Sequence, residues 1–317
     1  MRLFKRSSWS TLATLLALVP MLLLAACGSS GGSSGSGSSG STKVPIVVGS
    51  KLDVEGQLLG EMYILLLQKA GYQVTPRLAL GQTPVVFNAL KSGAIDLYPE
   101  FTATGLNLLG VQSSFNPQQD YNTVKQGFEK QFHITWLDYS PLNDGYALCT
   151  TQAESQKLGV TTLSQLAPHV PQLVLATQSD GIPFFNDLKA TYGFAATSFK
   201  AIKQVDYAIG FQAVKSGDAQ VNECYTTDGS VTTQGFIFLQ DDKHGFPEFH
   251  PAPIVRDSVL KADPGIAPAL NKLAPYLTTQ VSIDLQQQVA SKKSGGMSVT
   301  EAVKEVATSF LQSKGLL

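Results

Sequence analysis

Residues 87–105 read FNALKSGAIDLYPEFTATG, and residues 211–229 read FQAVKSGDAQVNECYTTDG. The two stretches are identical at 7 of 19 positions without a gap, at an offset of 124 residues. Each is patterned as a helix, a glycine that ends the helix, a strand, and a turn carrying an aromatic residue followed by threonine. Convergence of α/β sequences could produce part of this match, but the shared turn chemistry favours an internal repeat. The repeat predicts two related lobes.

The rest of the chain alternates short β-branched runs with helical patterns. Strands are predicted at residues 43–50, 73–80, 94–98, 146–150, 173–177 and 220–225, and helices at residues 57–70 and 85–91. The C-terminal 55 residues are predicted to be helical, with helices at residues 264–277 and 299–311. This alternation predicts α/β units on mostly parallel sheets.

Two α/β lobes imply a cleft between them. In open parallel sheets the loops beyond the carboxyl ends of the strands face the ligand, and the repeat places Phe101 and Tyr225 on these loops. Each lobe would therefore offer one aromatic ring to a shared space. The alternative is that either ring packs in the core of its own lobe, as bulky aromatic residues commonly do.

The first 42 residues are predicted to lie outside the fold. A positively charged start precedes an apolar run, residues 12–26, which is shorter than the roughly 20 residues of a membrane-spanning helix. The run closes with LAAC at residues 24–27, which resembles the lipobox of bacterial lipoproteins, and residues 28–42 are dominated by Gly and Ser. We therefore predict a lipoprotein signal peptide at residues 1–26, and a lipidated Cys27 with a flexible tether at residues 27–42. The alternative is an ordinary cleavage site that precedes a cysteine.

Composition excludes several classes of function. Lys and Arg number 23 against 24 Asp and Glu, so no excess positive charge exists to follow a nucleic acid backbone. The four histidines show no HExxH spacing or paired ligands, so we predict no metal, no cofactor and no catalytic residues. Besides Cys27, the cysteines are Cys149 and Cys224, which could form a disulfide in an exported protein or remain two buried thiols.

Six short motifs are weak singly and specific in combination. They are GSK at residues 49–51, LLGEM at 58–62, AIDLYPEFTATG at 94–105, NDGYAL at 143–148, CYTTDG at 224–229 and FPEFHPAPIVR at 246–256. Together they resemble the quaternary-amine substrate-binding proteins of bacterial ABC importers, which collect choline, glycine betaine and carnitine. The resemblance covers nearly all of residues 44–317.

The resemblance implies an α/β, two-lobed periplasmic-binding-protein fold of type II, with two related lobes and two hinge crossings. Lobe 1 would be discontinuous and hold residues 43–139 and 240–317, while lobe 2 would hold residues 140–239. The ligand of such a protein sits between the lobes in an aromatic cage.

The resemblance also carries four cage positions onto Phe101, Tyr146, Tyr225 and Phe249. A trimethylammonium group cannot donate a hydrogen bond, so a protein recognises it by shape and by the faces of aromatic rings. The family usually has Tyr where this chain has Phe101 and Phe249, a departure that keeps the ring faces. Tyr98 is a fifth candidate for the cage, or else a core residue at the end of a strand.

Polar candidates surround these rings in the sequence. Lys51 resembles a family position near the polar end of the ligand, although a solvated surface lysine is the alternative. Thr102 and Thr226 follow the two aromatic residues of the repeat, and Asp144 could supply negative potential or cap a turn. Betaine-binding members commonly place a basic residue near the segment that reads TQSD at residues 177–180, and none is present here. This absence favours an alcohol or an unusual quaternary amine as the ligand.

The predicted function is that of an extracytoplasmic solute-binding lipoprotein of an ABC importer. Such a protein would be a monomer held to the cell membrane by its lipid, and would pass a small quaternary amine to permease subunits. A lipid-anchored ligand sensor and a catalytic relative of the same fold are the alternatives.

Overall fold

The computed structural model describes residues 43–317 of the chain. The signal peptide, Cys27 and the tether predicted for residues 1–42 lie outside the described residues. Between residues 43 and 317, no helix is long and apolar enough to cross a membrane.

Residues 43–317 contain two five-stranded sheets. The strands are β1 (Ile46–Lys51), β2 (Val74–Gly81), β3 (Leu97–Phe101), β4 (Ile134–Trp136), β5 (Tyr146–Thr151), β6 (Val174–Thr177), β7 (Ala201–Gln204), β8 (Val221–Tyr225), β9 (Phe236–Leu239) and β10 (Pro251–Arg256). The first sheet has the strand order β2-β1-β3-β10-β4, and the second has the order β7-β6-β8-β5-β9.

Helices connect and cover these strands. They are α1 (Val54–Lys69), α2 (Thr83–Ser92), α3 (Thr102–Leu109), α4 (Pro117–Phe132), α5 (Gln152–Leu158), α6 (Leu163–Leu166), α7 (Ile182–Tyr192), α8 (Tyr207–Lys215), α9 (Ser230–Thr233), α10 (Asp257–Ala262), α11 (Ile266–Asn271), α12 (Thr279–Ser294) and α13 (Val299–Ser313).

The two sheets have the same arrangement of strands. In the first, β3 is parallel to β1 and antiparallel to β10, and in the second, β8 is parallel to β6 and antiparallel to β5. Each sheet therefore has one reversed strand, and each reversed strand is the first that the chain enters after crossing from the other sheet. The predicted α/β class with two related sheets is confirmed.

The chain passes twice between the sheets. Strands of the first sheet come from residues 46–136 and 251–256, and strands of the second come from residues 146–239. We call the bodies built on the first and second sheets lobe 1 and lobe 2. The lobe limits implied by the family resemblance, at residues 139/140 and 239/240, stay a prediction.

The shared residues of the repeat have equivalent structural roles. Phe87 in α2 packs its ring 5.6 Å, between centroids, from Phe128, and Phe211 in α8 packs 5.0 Å from Phe236. The glycines that end the two helix patterns, Gly93 and Gly217, have φ angles of 78° and 84°, which L side chains rarely adopt. The repeat therefore preserves a core aromatic residue and a helix-ending glycine in each lobe.

A disulfide links neighbouring strands of lobe 2. Cys149 in β5 and Cys224 in β8 are bonded, with their Cα atoms 5.9 Å apart, which lies within the usual range for disulfides. The sequence left open whether these cysteines form a disulfide or remain two buried thiols, and in the structure they form the disulfide. It closes a loop between residues 75 positions apart.

Candidate ligand-binding site

A cavity of about 860 Å³ lies between lobe 1 and lobe 2. Lys51, Phe101 and Tyr225 reach it from the carboxyl ends of β1, β3 and β8. Because β5 runs the opposite way to β8, its first residue, Tyr146, lies at the same edge and also lines the cavity. The sheet topology thus brings together side chains from distant parts of the sequence.

Three of the four predicted ring residues lie close together, with Tyr146 next to both of the others. Tyr146 and Tyr225 are register partners on β5 and β8, and their ring centroids are 5.1 Å apart. Phe249 comes from the second connection between the sheets, where its backbone N–H donates to Asn143 Oδ1 at 2.8 Å, and its ring lies 5.2 Å from that of Tyr146. All three rings line the cavity.

The fourth ring, Phe101, faces the same cavity from lobe 1. Phe101 and Tyr225 are the last residues of β3 and β8, so both end their strands and do not lie on the following loops as predicted. Their topological equivalence agrees with the repeat. The amine of Lys51 is 5.2 Å from the centroid of the Phe101 ring.

Sequence reasoning missed two aromatic residues that line this cavity, Tyr207 and Phe211. Tyr207, the first residue of α8, lines it, with its ring 5.0 Å from that of Tyr225 and its hydroxyl donating to Asp228 Oδ2 at 2.7 Å. Extending the repeat backward by four residues would have found this position, because Tyr207 then aligns with Thr83, which also lines the cavity.

Lys51 is buried and paired, so it is not a solvated surface lysine. Its amine lies 2.6 Å from Glu100 Oε1. The other oxygen of Glu100 accepts a hydrogen bond from the hydroxyl of Tyr98 at 2.7 Å. The charge of Lys51 is therefore largely compensated within the protein.

Three predicted site residues do not line the cavity. Tyr98 is fully buried in the lobe 1 core, where its hydroxyl is held by Glu100. Thr102 is buried, and its hydroxyl joins the backbone of Glu248 and His250. Thr226 directly follows β8, and its Oγ1 accepts from the backbone N–H of Gly145 at 2.9 Å. All three residues are close in sequence to a predicted ring residue. However, the hydroxyl of Tyr98 is hydrogen-bonded to the carboxylate of Glu100, and the hydroxyls of Thr102 and Thr226 are hydrogen-bonded to the backbone.

Asp144 does line the cavity and belongs to a carboxyl pair. The hydroxyl of Thr227 lies 2.5 Å from Asp144 Oδ1 and 2.9 Å from Glu55 Oε2. Burial raises the pKa of Asp144 to about 6. Burial also raises the pKa of Glu55 well above its usual range, and the negative charges of Asp144 and Asp53 add to this effect.

Hydrogen bonds join lobe 1 to lobe 2 at residues that line this cavity. In addition to the contact of Glu55 with Thr227, the backbone N–H of Thr83 in α2 donates to Asp180 Oδ2, beyond β6, at 3.1 Å. Residues of both lobes thus line the cavity and are hydrogen-bonded to one another.

Another buried carboxyl, that of Glu223, lies in β8 two residues before Tyr225. Its Oε2 accepts from the backbone N–H of Gln178 at 2.8 Å and from the hydroxyl of Thr177, while its Oε1 has no partner among the described residues. Burial raises the pKa of Glu223 to about 7.

We expect Glu223→Gln to raise the stability of the protein at pH 8 and to reduce its dependence on pH. The folded state binds the Glu223 proton more tightly than the unfolded state, so this group favours folding below its unfolded pKa and loses that contribution as pH rises towards 7. The difference from wild type should be about 3 kcal/mol at pH 8 and should vanish near pH 4. Urea unfolding at pH 5, 6.5 and 8 measures it, with the exposed Glu129→Gln as the control. Parallel pH profiles for wild type and Glu223→Gln would contradict the prediction.

Within residues 43–317, no group of three or more His, Cys, Asp or Glu side chains is placed to hold a metal ion. What the cavity offers is aromatic faces and carboxylates, a combination suited to a cation.

Comparison with known proteins gives a consistent result. Residues 44–313 match the family described as the substrate-binding domain of ABC-type glycine betaine transport systems. The glycine betaine-binding protein YehZ of Escherichia coli is 31% identical over 284 residues, covering 86% of this chain and 91% of that protein. The carnitine transport binding protein OpuCC of Listeria monocytogenes is 26% identical, covering 79% of this chain and 83% of that protein. These relatives are binding proteins of transporters and not enzymes.

Solved structures show the same fold. The structure of apo YehZ from Escherichia coli has a TM-score of 0.60 and 28% identity, and covers 86% of this chain and 99% of that one. A choline-binding protein of an ABC transporter, in complex with choline, has a TM-score of 0.61 and 16% identity, and covers 85% of this chain and 89% of that one. The two-lobed periplasmic-binding-protein fold of type II is thereby confirmed.

Proposed function

Because the chain belongs to the family of substrate-binding domains of ABC-type glycine betaine transport systems, we propose that it captures a quaternary ammonium compound in an aromatic cage between its lobes. Proteins of this kind act outside the cytoplasm and work with ABC permeases. We propose further that the rings of the cavity form the cage, that the protein is anchored to the membrane by a lipid, and that it delivers its ligand to the permease as a monomer.

The observation that carries this proposal is the group of rings at the interlobe cavity. The ring centroids of Tyr225 and Phe249 lie 5.1 Å and 5.2 Å from that of Tyr146, and Phe101 lines the same cavity from lobe 1. A quaternary ammonium group offers no hydrogen-bond donor, so ring faces and shape are the means of recognising it. Each desolvated ring face is worth about 0.5 to 2 kcal/mol towards a cation.

The proposed mechanism is capture, closure and delivery. The open cleft binds the cation between rings, and the contacts that form only when the lobes meet shift a hinge equilibrium towards the closed form. The contact between Glu55 and Thr227 and the contact between Thr83 and Asp180 would then be made on closure. The permease would recognise the closed form.

Calorimetric titration of residues 43–317 with choline, glycine betaine and carnitine tests the ligand class. At least one of the three should bind with a micromolar or lower Kd, corresponding to about −8 kcal/mol or better. Failure of all three to bind, by a protein that unfolds cooperatively, would contradict the proposal.

The lipid anchor is tested by Cys27→Ser in the full chain. We expect the variant to be released from the membrane, because the acyl chains attached at this residue would supply the anchoring free energy. Its ligand affinity should not change, because the cavity is formed within residues 43–317. Retention of the variant in membranes after a salt wash would show that another feature holds it there.

A further inference from the structure

Glu223 lies next to Tyr225 on one face of β8. Successive side chains of a strand alternate between its two faces, so residues two positions apart point the same way. Tyr225 ends β8 and lines the cavity, whereas Glu223 is 1% exposed and lies one side-chain position further into lobe 2. Its carboxyl group is therefore close to the cavity but does not line it.

The carboxyl group of Glu223 is held at one oxygen only. Oε2 accepts from the backbone N–H of Gln178 at 2.8 Å and from the hydroxyl of Thr177. This oxygen also fills the space beside Gly181, where an added Cβ would collide with it. Oε1 is buried and has no partner among the described residues. Burying an ionised carboxyl group without a donor for each oxygen is costly, so the ligand-free site favours the protonated form.

The charge of Glu223 acts at two rings of the proposed cage. Burial raises the pKa of the Tyr146 and Tyr225 hydroxyls well above their usual range, and the negative charge of Glu223 is the next largest cause for both. Gln178 connects the carboxyl group to the cavity, since its side-chain oxygen accepts from the Tyr225 hydroxyl at 3.2 Å while its backbone N–H donates to Glu223. A charge that acts on these two rings also acts on a cation held against them.

No positive charge of the described residues offsets Glu223. Among residues 43–317, no lysine, arginine or histidine side chain forms an ion pair with it. The titratable groups that face it are Tyr146 from β5, Tyr225 from its own strand and Asp180 from the segment between β6 and α7. Burial and the negative charge of Asp180 raise the pKa of Glu223 to about 7, so its proton can leave near neutral pH.

We propose that Glu223 is a buried counter-charge for the cation in the cage, acting through the rings of Tyr146 and Tyr225, and that it gives up its proton to solvent when the cation binds. The positive charge of the ligand stabilises the carboxylate, so binding lowers the affinity of Glu223 for its proton. By linkage, loss of the proton strengthens ligand binding by the same factor. This inference rests on the proposed function and adds a proton-linked step to it.

Calorimetric titration of the protein with choline tests this linkage. Choline has no group that titrates between pH 5.5 and 8, so any proton released comes from the protein. The Kd of wild type should fall by about 3- to 10-fold from pH 5.5 to pH 8, because a pKa lowered by about one unit corresponds to a tenfold change in affinity. At pH 6.5, titrations in buffers of different ionisation enthalpy should show the release of at least about half a proton.

The variant Glu223→Gln separates Glu223 from the other carboxyl groups of the cavity. Glutamine keeps the size of the protonated side chain and an oxygen that accepts from Gln178 and Thr177, but it cannot ionise. The variant should bind choline as tightly as wild type at pH 5.5 and about 3- to 10-fold more weakly at pH 8, and it should release fewer protons. A purely structural role would change the affinity by the same factor at every pH. Asp144, whose pKa burial raises to about 6, titrates in both proteins, so its contribution cancels in this comparison.

Asp206→Asn is the matched control, because it removes a negative charge from an exposed residue that lines the same cavity. It should weaken choline binding by a similar factor at every pH and leave the proton release as in wild type. The same pH dependence of Kd in wild type and Glu223→Gln, or an equal number of released protons, would overturn this inference and leave the proposed function standing, since choline would still bind. If choline, glycine betaine and carnitine all fail to bind at every pH, the proposed function fails, and this inference fails with it.

Discussion

Replacing Tyr225 by Leu is expected to weaken the binding of a quaternary ammonium ligand by about 5- to 30-fold, equivalent to roughly 1 to 2 kcal/mol. Leucine retains apolar volume but has no π quadrupole to attract the cation. Tyr225 is half-buried and lines the cavity, so the loss should appear in ligand binding more than in folding. Calorimetric titration of the variant with the ligand that wild type binds best measures the effect.

Tyr225→Phe is the matched control because it keeps the ring. It removes only the hydroxyl, which donates to Gln178 Oε1 at 3.2 Å, and Phe already stands at positions 101 and 249. The Phe variant should therefore lose far less affinity than the Leu variant. Full affinity in Tyr225→Leu, or equal losses in the two variants, would exclude Tyr225 from the cage.

Removing the disulfide is expected to have the largest effect on stability. The variant Cys149→Ala/Cys224→Ala should lose about 2 to 5 kcal/mol, because the bridge restricts the unfolded chain over a long loop. The two cysteines are fully buried between β5 and β8, and β5 begins with Tyr146. Urea unfolding monitored by circular dichroism measures the change as a lower midpoint.

Reductant provides the control for this prediction. Adding it during unfolding should lower the wild-type midpoint towards that of the double variant and leave the double variant unchanged. A wild-type midpoint that does not respond to reductant, or that equals the midpoint of the variant under oxidising conditions, would show that the bridge contributes nothing to stability.

The internal repeat of residues 87–105 and 211–229 predicted more of the observed fold and site than any other feature of the sequence. Phe87 and Phe211 pack in equivalent cores, and Phe101 and Tyr225 end equivalent strands, because a duplicated α/β unit preserves both its core positions and its edge positions. Ring residues at strand ends can be identified locally, since they follow a buried strand.

Other parts of the site had no such local signal. The contact between Glu55 and Thr227 joins residues that are 172 positions apart and lie on different lobes. No hydrophobic periodicity in the sequence indicates such a contact. Helix α12 falls in the C-terminal stretch predicted to be helical, but its own bounds were not predicted, because it is rich in Gln and Ser and only Ser282, Leu285 and Val289 are buried in it. It is held by tertiary packing and not by a strong apolar stripe.

The most direct test of the central claim is a comparison of the best quaternary ammonium ligand with its neutral isostere, in which a tert-butyl group replaces trimethylammonium. The two groups fill nearly the same volume, and only one is charged. If the rings of Tyr146, Tyr225, Phe101 and Phe249 recognise a cation, the isostere should bind at least about tenfold more weakly in a calorimetric competition. If the isostere competes equally well, the cavity is an ordinary apolar pocket, and the assignment of a quaternary ammonium ligand is contradicted.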